Sequence, residues 1–553
     1  MKKHHWLKIA GIVVAVLLVI LVALPFMINV DSFRPRIQSE ASAALGREVT
    51  LGKLSLSILS STVKADDISI ADDPAFATTP FVKAESLKVG VELKPLIFSK
   101  EIKVTEIVLE KPEINLIRGP NGTWNFSNIG SASRNKPDAP KSSGPPNVSV
   151  AKLEVNHGRL SIGKLNSALK PQVYDEVNVS VKDFSETSEF PFKLTTNLPG
   201  GGDADISGKA GPINAENTAK TPFETAVKVN NMDIAASGFI DPASGIAGLA
   251  NFDGTLTSTG TMAKAVGTFT GEKLKFGPRA TPATKAVVIK HSVDMDLDNQ
   301  TANITQGDVS VGNTQAHLTG TVRQQGDTQV ANLKLSAPGM SVNELEALLP
   351  ALGVVLPSGS QLSGGTLSAN LTITGPLNNY VIAGPLQLQN TALKNFSLGQ
   401  KLGAISKFVG GAGMGNPDTT IRNFSLNAQV TPQMRQANNI NLDVPALGLV
   451  TGAGVVSAAG DMNFKMVANL SGGMVGSVAK VTSVGGGSVS KIPFSIQGTT
   501  SNPKFIPDVS GIATGVAAGA VQGVLNGGKV PGVPPEAGGL INGLLGGKKK
   551  PPK

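Results

Sequence analysis

Along most of the chain, apolar and polar residues take turns. After Gly46, aliphatic side chains recur at every second position: Leu54, Leu56 and Ile58, then Ile68 and Ile70, then Leu87, Val89, Val91 and Leu93. Lys88, Gly90 and Glu92 stand between the last four, so the period predicts a strand with one aliphatic and one polar face. The pattern returns at Val177, Val179 and Val181, at Val293, Met295 and Leu297, and at Leu367, Leu371 and Ile373. It appears again at Ile440, Leu442 and Val444, then at Phe464, Met466 and Leu470. Gly119-Pro120-Asn121-Gly122 separates a strand around Ile114 and Leu116 from a second one holding Trp124 and Phe126. Asn-Gly favours a tight hairpin there, and meandering antiparallel connections are the simplest topology.

Three stretches depart from this period. From Ile9 to Ile28 the chain runs without a charge, long enough at about 1.5 Å per residue to cross a hydrocarbon core of about 30 Å. Ile9, Leu17, Leu21 and Ile28 mark this expected membrane anchor. Lys2, Lys3 and Lys8 precede it, and Asp31 stands nearer its exit than Arg34 and Arg36, which favours a cytoplasmic N-terminus and an outward-facing remainder. A cleaved signal peptide fits less well, because the apolar run is too long and no small-x-small site follows Pro25. Next, Phe33, Ile37, Ala41 and Leu45 lie at helical spacing, with Asp31 as a cap and Gly46 as a stop. This helix is read as a cover over one end of the sheet, an interfacial foot or a connector. Further helical candidates are 342–349, 398–409 and 509–525. Residues 131–147, rich in Ser, Pro, Lys and Gly, read as a flexible linker.

The expected organisation is therefore an anchor with its cytoplasmic tip (1–30), an N-terminal module (31–130), the linker (131–147), a repetitive β region (148–510) and a Gly/Ala-rich tail (511–553). The tail aligns Ile512, Val516, Ala520 and Val524 on one helical face and ends in lysines, which fits a docking helix or a disordered end. So few helices cannot cover several hundred residues of sheet. Each Å² of apolar surface left wet costs about 25 cal/mol, so the aliphatic face needs a second sheet, self-closure or an apolar ligand.

Composition narrows the chemistry. With 63 Gly and 35 Pro, many turns and few long helices are expected. The absence of Cys excludes disulfides, thiolate metal sites and cysteine nucleophiles. Aromatic residues at 4% leave few stacking platforms for sugars or single-stranded nucleic acid. The net charge of +9 lies at the ends: without Lys2, Lys3, Lys8, Lys548, Lys549, Lys550 and Lys553, 42 basic residues of 49 face 40 acidic ones. No basic cluster for DNA remains in between. His157, His291 and His317 lie far apart, without metal-ligand spacing. The pairs Asp66-Asp67 and Asp72-Asp73 read as solvated turn or edge carboxylates, since strand neighbours point to opposite faces. No Gly-rich phosphate loop or serine nucleophile elbow appears. No enzyme activity, cofactor or metal is expected.

Several phrases resemble the AsmA family of Gram-negative envelope proteins. These are the anchor followed by Phe33-Arg34-Pro35 and Leu45-Gly46-Arg47-Glu48-Val49, and the run AESLKVGVELKPLIFSKEIKVTEIVLEKPEINLIRGPNGTWNFSNI from Ala84 to Ile129. VSVAKLEVNHGRLSI (Val148 to Ile162), GGTLSANLTITGPLNNYVIAGPLQLQNTALKN (Gly364 to Asn395) and KIPFSIQGTTSNPKFIPDVSG (Lys491 to Gly511) resemble later family strands. Between 199 and 360 the likeness is one of general pattern. The resemblance implies an inner-membrane protein with its bulk in the periplasm, linked to outer-membrane homeostasis and phospholipid transport. The family is similar in plan to chorein-type bridge proteins, whose apolar β-groove guides lipid tails.

The expected fold is mainly β: a transmembrane helix, then an elongated, curved, mostly antiparallel sheet forming a groove, with a few short helices. Leu87, Val89, Val91, Leu93, Val177, Val179, Val181, Leu367, Leu371 and Ile373 are the candidate lipid-groove residues. The same residues serve equally as the core of packed sandwiches. With about 20 to 25 strands at about 4.8 Å, a groove would run roughly 100 to 120 Å. Expected partners are the inner membrane, phospholipid acyl chains and an outer-membrane or periplasmic protein, with no nucleic acid. The alternative is an assembly factor that captures unfolded strands of outer-membrane proteins.

Overall fold

A computed structural model describes residues 30–57, 60–92, 104–129, 149–167, 170–215, 217–238, 240–278, 280–326, 328–401, 417–445, 447–470 and 491–508. The chain divides into two units, residues 1–271 with 295–298 and residues 272–294 with 299–553. The expected membrane span, the linker, the tail helix, Ile58 and Leu93 all lie outside the described residues. Among the described residues no helix is long and apolar enough to cross a membrane.

The first unit opens with a 3-10 turn (Val30–Phe33) and helix α1 (Arg34–Leu45), close to the expected helix. Pro35 sits in its first turn, and Gly46, at φ 68°, ends it with its N–H donating to Ser42 O at 2.9 Å. Asp31 does not cap this helix. Its carboxylate accepts the Leu54 N–H at 2.9 Å and pairs with Arg34 at 3.5 Å, fastening the turn to the edge of the sheet.

Twelve strands follow: β1 (Val49–Thr50), β2 (Leu54–Ser57), β3 (Thr62–Ile70), β4 (Val82–Val91), β5 (Val104–Glu110), β6 (Glu113–Arg118), β7 (Ser149–Lys164), β8 (Gln172–Ser185), β9 (Phe190–Asn197), β10 (Asp203–Ala210), β11 (Phe223–Asp233) and β12 (Ile246–Ser258). They pair antiparallel from β2 through β5 and from β7 through β12. The predicted meander fails at one step, where β7 runs parallel to both β5 and β6. A parallel partner cannot be reached through a tight turn, and 30 residues, 119–148, separate the end of β6 from the start of β7. The predicted hairpin strand through Trp124 and Phe126 is likewise absent. The Gly119 to Gly122 turn forms, Trp124 makes one bridge to Arg118, and the chain then turns away.

β5 and β6 form one line broken at Lys111-Pro112, where Lys111 has φ 46°. β7 carries a matching kink at His157, φ 52°. The two kinks nest: Lys111 N–H donates to Asn156 O at 2.8 Å, and Arg159 N–H donates to Pro112 O at 2.7 Å. The buried Pro112 ring thus occupies a point where its missing N–H costs nothing.

β13 (Met262–Phe276) and β14 (Val287–Asp296) fall at the division. The second unit continues with β15 (Thr301–Val311), β16 (Thr314–Gln325), β17 (Thr328–Ser341), helix α2 (Val342–Glu346), β18 (Gln361–Ser363), β19 (Thr366–Pro376) and β20 (Val381–Lys394). Helix α3 (Leu398–Lys401), β21 (Thr419–Val430), β22 (Met434–Val444), β23 (Gly448–Ser457), β24 (Asp461–Leu470), β25 (Lys491–Thr499) and β26 (Pro503–Pro507) complete it. Its described pairings are antiparallel. α2 stops at Glu346, short of the predicted 349, because Pro350 cannot continue a helix. In neither unit do the described strands form a second sheet.

Inside several strands the aliphatic alternation slips phase. β7 passes from Leu153 and Val155 to Leu160 and Ile162, and β11 from Val227 and Val229 to Met232. β17 passes from Leu335 and Ala337 to Met340, and β22 from Ala437 to Ile440. An uncorrected slip would turn the second half of each strand over. Register shifts fall at these places, between Val155 and Gly158, Val229 and Met232, Ala337 and Met340, and Ala437 and Ile440. His157, Asn231, Gly339 and Asn439 take up the extra residue in left-handed backbone conformations.

The densest packing lies at the end of the second unit. Ile440, Val444, Val450, Met466, Ala468, Ile492 and Phe494 are buried there, with Phe396, Phe424 and Phe505 against them. Truncating Met466 to Ala should cost about 2–5 kcal/mol, whereas Leu371→Ala on the half-buried face should cost under about 1.5 kcal/mol, measured by urea unfolding.

Candidate functional site

Cross-strand register collects the aliphatic positions into rows. In the first unit one row runs Leu54, Ala65, Leu87, Leu109, Val155, Val179, Leu194, Ile206, Val227 and Gly254, each the partner of the one before. A second row on the same face runs Leu56, Val63, Val89, Ile107, Leu153, Val181, Phe192, Gly208, Thr225 and Leu256. Both pass through the parallel step without a break. Nine steps at about 4.8 Å give each row a length of roughly 43 Å along the sheet. That is close to three times the depth of one leaflet of a bilayer core about 30 Å thick.

The predicted residues that are described fall on the aliphatic face of their own unit. Leu87, Val89, Val179 and Val181 share the two rows. Val177 lies opposite Gly158, and Val91 lies opposite Val104 beyond a register shift. In the second unit, Ile373 joins Gly320, Leu333 and Ile382, while Leu371 joins Leu318 and Leu335. Leu367 lies in the row Met340, Leu367, Leu388, Phe424, Leu442, Val450, Ala468 and Ile492. The sequence reading missed Ile107, Leu109, Leu153, Val155, Phe192 and Leu194. Their two-residue period was legible, but their place in the same rows depends on register.

Burial distinguishes this face from an ordinary core. Val91 is buried, whereas Leu87, Val89, Val177, Val179, Val181, Leu367, Leu371 and Ile373 are half-buried. Neighbouring side chains cover one another along the sheet, and no second sheet seals them. The face is covered in places: Val30 packs on Leu54, Ala65 and Leu87 in the first unit, and in the second Leu345 packs on Ala316, Ala337 and Met340 while Phe396 and Leu398 lie on the closing cluster. Large side chains also lie over glycines of the face, as Phe464 does over Gly454. The opposite face carries ion pairs such as Lys88–Glu110 at 3.2 Å, Lys193–Asp205 at 2.9 Å and Arg422–Asp443 at 2.9 Å.

Polar chemistry concentrates elsewhere. Arg47 is buried and donates through Nη2 to Asn125 O at 2.9 Å and to Asn128 Oδ1 at 2.5 Å. Its Nη1 lies 3.6 Å from Asp72 Oδ1, and Nη2 lies 3.5 Å from Asp73 Oδ2. The Asn125 amide donates to Asp72 Oδ2 at 2.7 Å and to Asn115 O at 2.8 Å, while its oxygen accepts Ile117 N–H at 3.0 Å. Asp72 and Asp73 are therefore not a solvated pair. They clamp the Arg47 segment to the turn after Trp124, which is why the chain leaves the predicted hairpin there. Burial pushes the Asp72 carboxyl upward, against the Asn125 hydrogen bond and the Arg47 charge. The Ala75 N–H and Asn128 hold Asp73 below the usual carboxylate range.

Among the described residues no group of His, Asp and Glu has the arrangement of a metal site. His157 and His317 form exposed pairs with Glu176 and Asp308, each at 2.7 Å.

A family model described as the AsmA family matches residues 1–462. The chain belongs to the AsmA family. That span includes the Arg47 clamp, the Lys111-Pro112 kink, both rows of the first unit and most of the second unit. The closing strands β25 and β26 lie beyond it. No curated protein matches the chain, and no solved structure matches it. Arg47 of Leu45-Gly46-Arg47 and Asn125 of Thr123-Trp124-Asn125 meet in the clamp, where they serve the packing of the first module.

Replacing Arg47 with Ala leaves Asp72 buried without its cationic partner, and should destabilise the protein by about 3–5 kcal/mol in urea unfolding. Asp73→Asn should be destabilising at pH 7, with a penalty that shrinks on acidification. The folded-state carboxyl of Asp73 lies below its unfolded value, so its contribution is present above the ordinary carboxylate range and fades as pH falls through the depressed value. Unfolding curves of both proteins from pH 7 to pH 3 check this, and parallel curves throughout would contradict it.

Proposed function

We propose that this AsmA-family protein carries phospholipid acyl chains along its apolar sheet face, supporting phospholipid transport between the inner and outer membranes. Residues 9–28 anchor it in the inner membrane with a cytoplasmic N-terminus, and the sheet works in the periplasm. The observation that supports the reading is the pair of mostly aliphatic rows in the first unit, largely half-buried and without a second hydrogen-bonded sheet over them. Exposing a methylene to water costs about 0.8 kcal/mol, so a continuous aliphatic lining lowers the cost of moving an acyl chain through an aqueous compartment. Val, Leu and Ile side chains offer contact without hydrogen-bond selection, which suits tails of different lengths. No catalytic group is needed.

The alternative, an assembly factor for outer-membrane proteins, requires a free sheet edge for strand addition. The described edges favour it less. At one edge the Leu54 N–H is already bound by Asp31. At the other, β26 begins and ends with Pro503 and Pro507, which have no N–H to offer.

The full-length protein, purified in mild detergent, should release phospholipid on mass spectrometry. The double variant Val89→Asp, Val181→Asp, altered within one row, should lose most of it while keeping a β-type circular dichroism spectrum. Lipid-free wild-type protein, or co-eluting porin fragments in place of lipid, would sink the transport reading.

A further inference from the structure

Helix α1 and the 3-10 turn before it are fastened to the first unit by polar side chains. Asp31 accepts the Leu54 N–H at 2.9 Å, Arg34 Nη1 donates to Gly52 O at 3.5 Å, and Ser42 Oγ accepts the Val49 N–H at 2.9 Å. All three bonds go to residues 49–54, so the helix lies along the edge formed by β1 and β2. Both aliphatic rows begin at that edge, with Leu54 and Leu56.

The apolar residues of the same segment take no part in this attachment along most of its length. Val30, Phe33 and Ile37 follow one another at i, i+3 and i+7, the spacing of a single stripe. Val30 packs against Leu54, Ala65 and Ile68 at the start of the aliphatic face. Phe33 and Ile37 are 53% and 42% exposed, and no residue of α1 is buried. A helix resting on a sheet in water ordinarily does the reverse, with its apolar side chains against the sheet and its polar ones outside. Charge is muted on the exposed side as well, since Arg36 and Glu40 pair with each other at 2.9 Å.

What adjoins the stripe follows from the chain. The charge-free stretch read as the anchor ends at Ile28, and Val30 comes two residues later, after at most about 7 Å of extended backbone. The layer between hydrocarbon and water on each side of a bilayer is about 5–8 Å deep. A residue packed on the sheet is thus held within about one headgroup layer of the hydrocarbon, and Phe33 and Ile37 follow it directly. Two exposed apolar side chains would not retain a protein at a membrane by themselves. Beside an anchor that already holds them there, they need only set the orientation.

We infer that α1 lies in the interfacial layer of the anchoring membrane with Phe33 and Ile37 toward the acyl chains, and that it sets the β2 edge of the sheet, where the rows begin, against the lipid. This placement rests on residues 9–28 being the proposed anchor and on the aliphatic face being the lipid path, to which it adds a point of entry. Leu54 at the head of one row is buried with Val30 against it, whereas Leu56 at the head of the other is half-buried. An acyl chain leaving the membrane meets Leu56, Val63 and Val89 first, without crossing water.

The chain has no cysteine, so a spin label can be attached at one chosen position. Phe33→Cys, Ile37→Cys and Ser39→Cys are labelled singly in the full-length protein, reconstituted in phosphatidylethanolamine/phosphatidylglycerol vesicles. All three positions are exposed, and Ser39 stands about 200° around the helix from Ile37. Labels at 33 and 37 should collide more with oxygen, which dissolves in lipid, than with a water-soluble nickel chelate, and the label at 39 should show the opposite order. A diazirine amino acid placed at Leu56 should cross-link phospholipid on illumination of these vesicles. The double variant Phe33→Asp, Ile37→Asp changes exposed positions only and should lose most of that cross-link at unchanged thermal stability. Water-type collision at all three labels, no cross-link in the wild type, or an undiminished one in the double variant overturns the placement. Lipid-type labels and a cross-link in vesicles, with no phospholipid released from the purified wild type, would support the placement and overturn the transport reading alone.

Discussion

Backbone register is what the rest of this structure depends on. In a strand, neighbouring side chains point to opposite faces, so a sheet keeps an aliphatic face only if each strand meets the next in the same phase. Leu87 must face Leu109, Leu109 must face Val155, and Val155 must face Val179 for the row to continue. A slip of one residue at any step would present lysines and glutamates instead. The parallel step between β5 and β7 shows how strictly this holds. The direction of the chain changes there, but the face does not.

The left-handed residues His157, Asn231, Gly339 and Asn439 belong to the same constraint. Each stands where the aliphatic period jumps by an odd number of positions, and each absorbs one residue so that the following side chains return to the face. Bulges also bend a strand and increase its twist. The correction of phase and the bending of the strand thus come from one local device, and Asn and Gly fit it because they adopt the left-handed conformation more readily than most residues.

A sheet without a second layer leaves its ends and edges to be managed separately. In the first unit Val30 covers the start of a row, Asp31 occupies the edge N–H of Leu54, and the Arg47 clamp holds the turns beside it. In the second unit the aromatic residues around Phe494 close the face, and two prolines bound the last strand. What remains open between these closures is aliphatic and half-buried. Such a surface is costly in water and well suited to a hydrocarbon guest.

The one-sided period at Leu87, Val89, Val91 and at Val177, Val179, Val181 was enough to predict strands, a predominantly β fold and an apolar face, because side-chain direction in a strand follows from local geometry alone. The family phrases were legible for the same reason: they are contiguous. Three matters lay beyond the sequence. That Val89 and Val181 share one row depends on hydrogen bonds among strands far apart in the chain. That Asp72 is buried beside Arg47, and not solvated in a turn, depends on Asn125 arriving from a different segment, which also removes the predicted hairpin strand. That the described strands form no second hydrogen-bonded sheet, and that Leu345 and Phe396 pack on parts of the face, depends on where whole segments pack. Local alternation carries phase but not partners, and partners are chosen only when the chain meets itself.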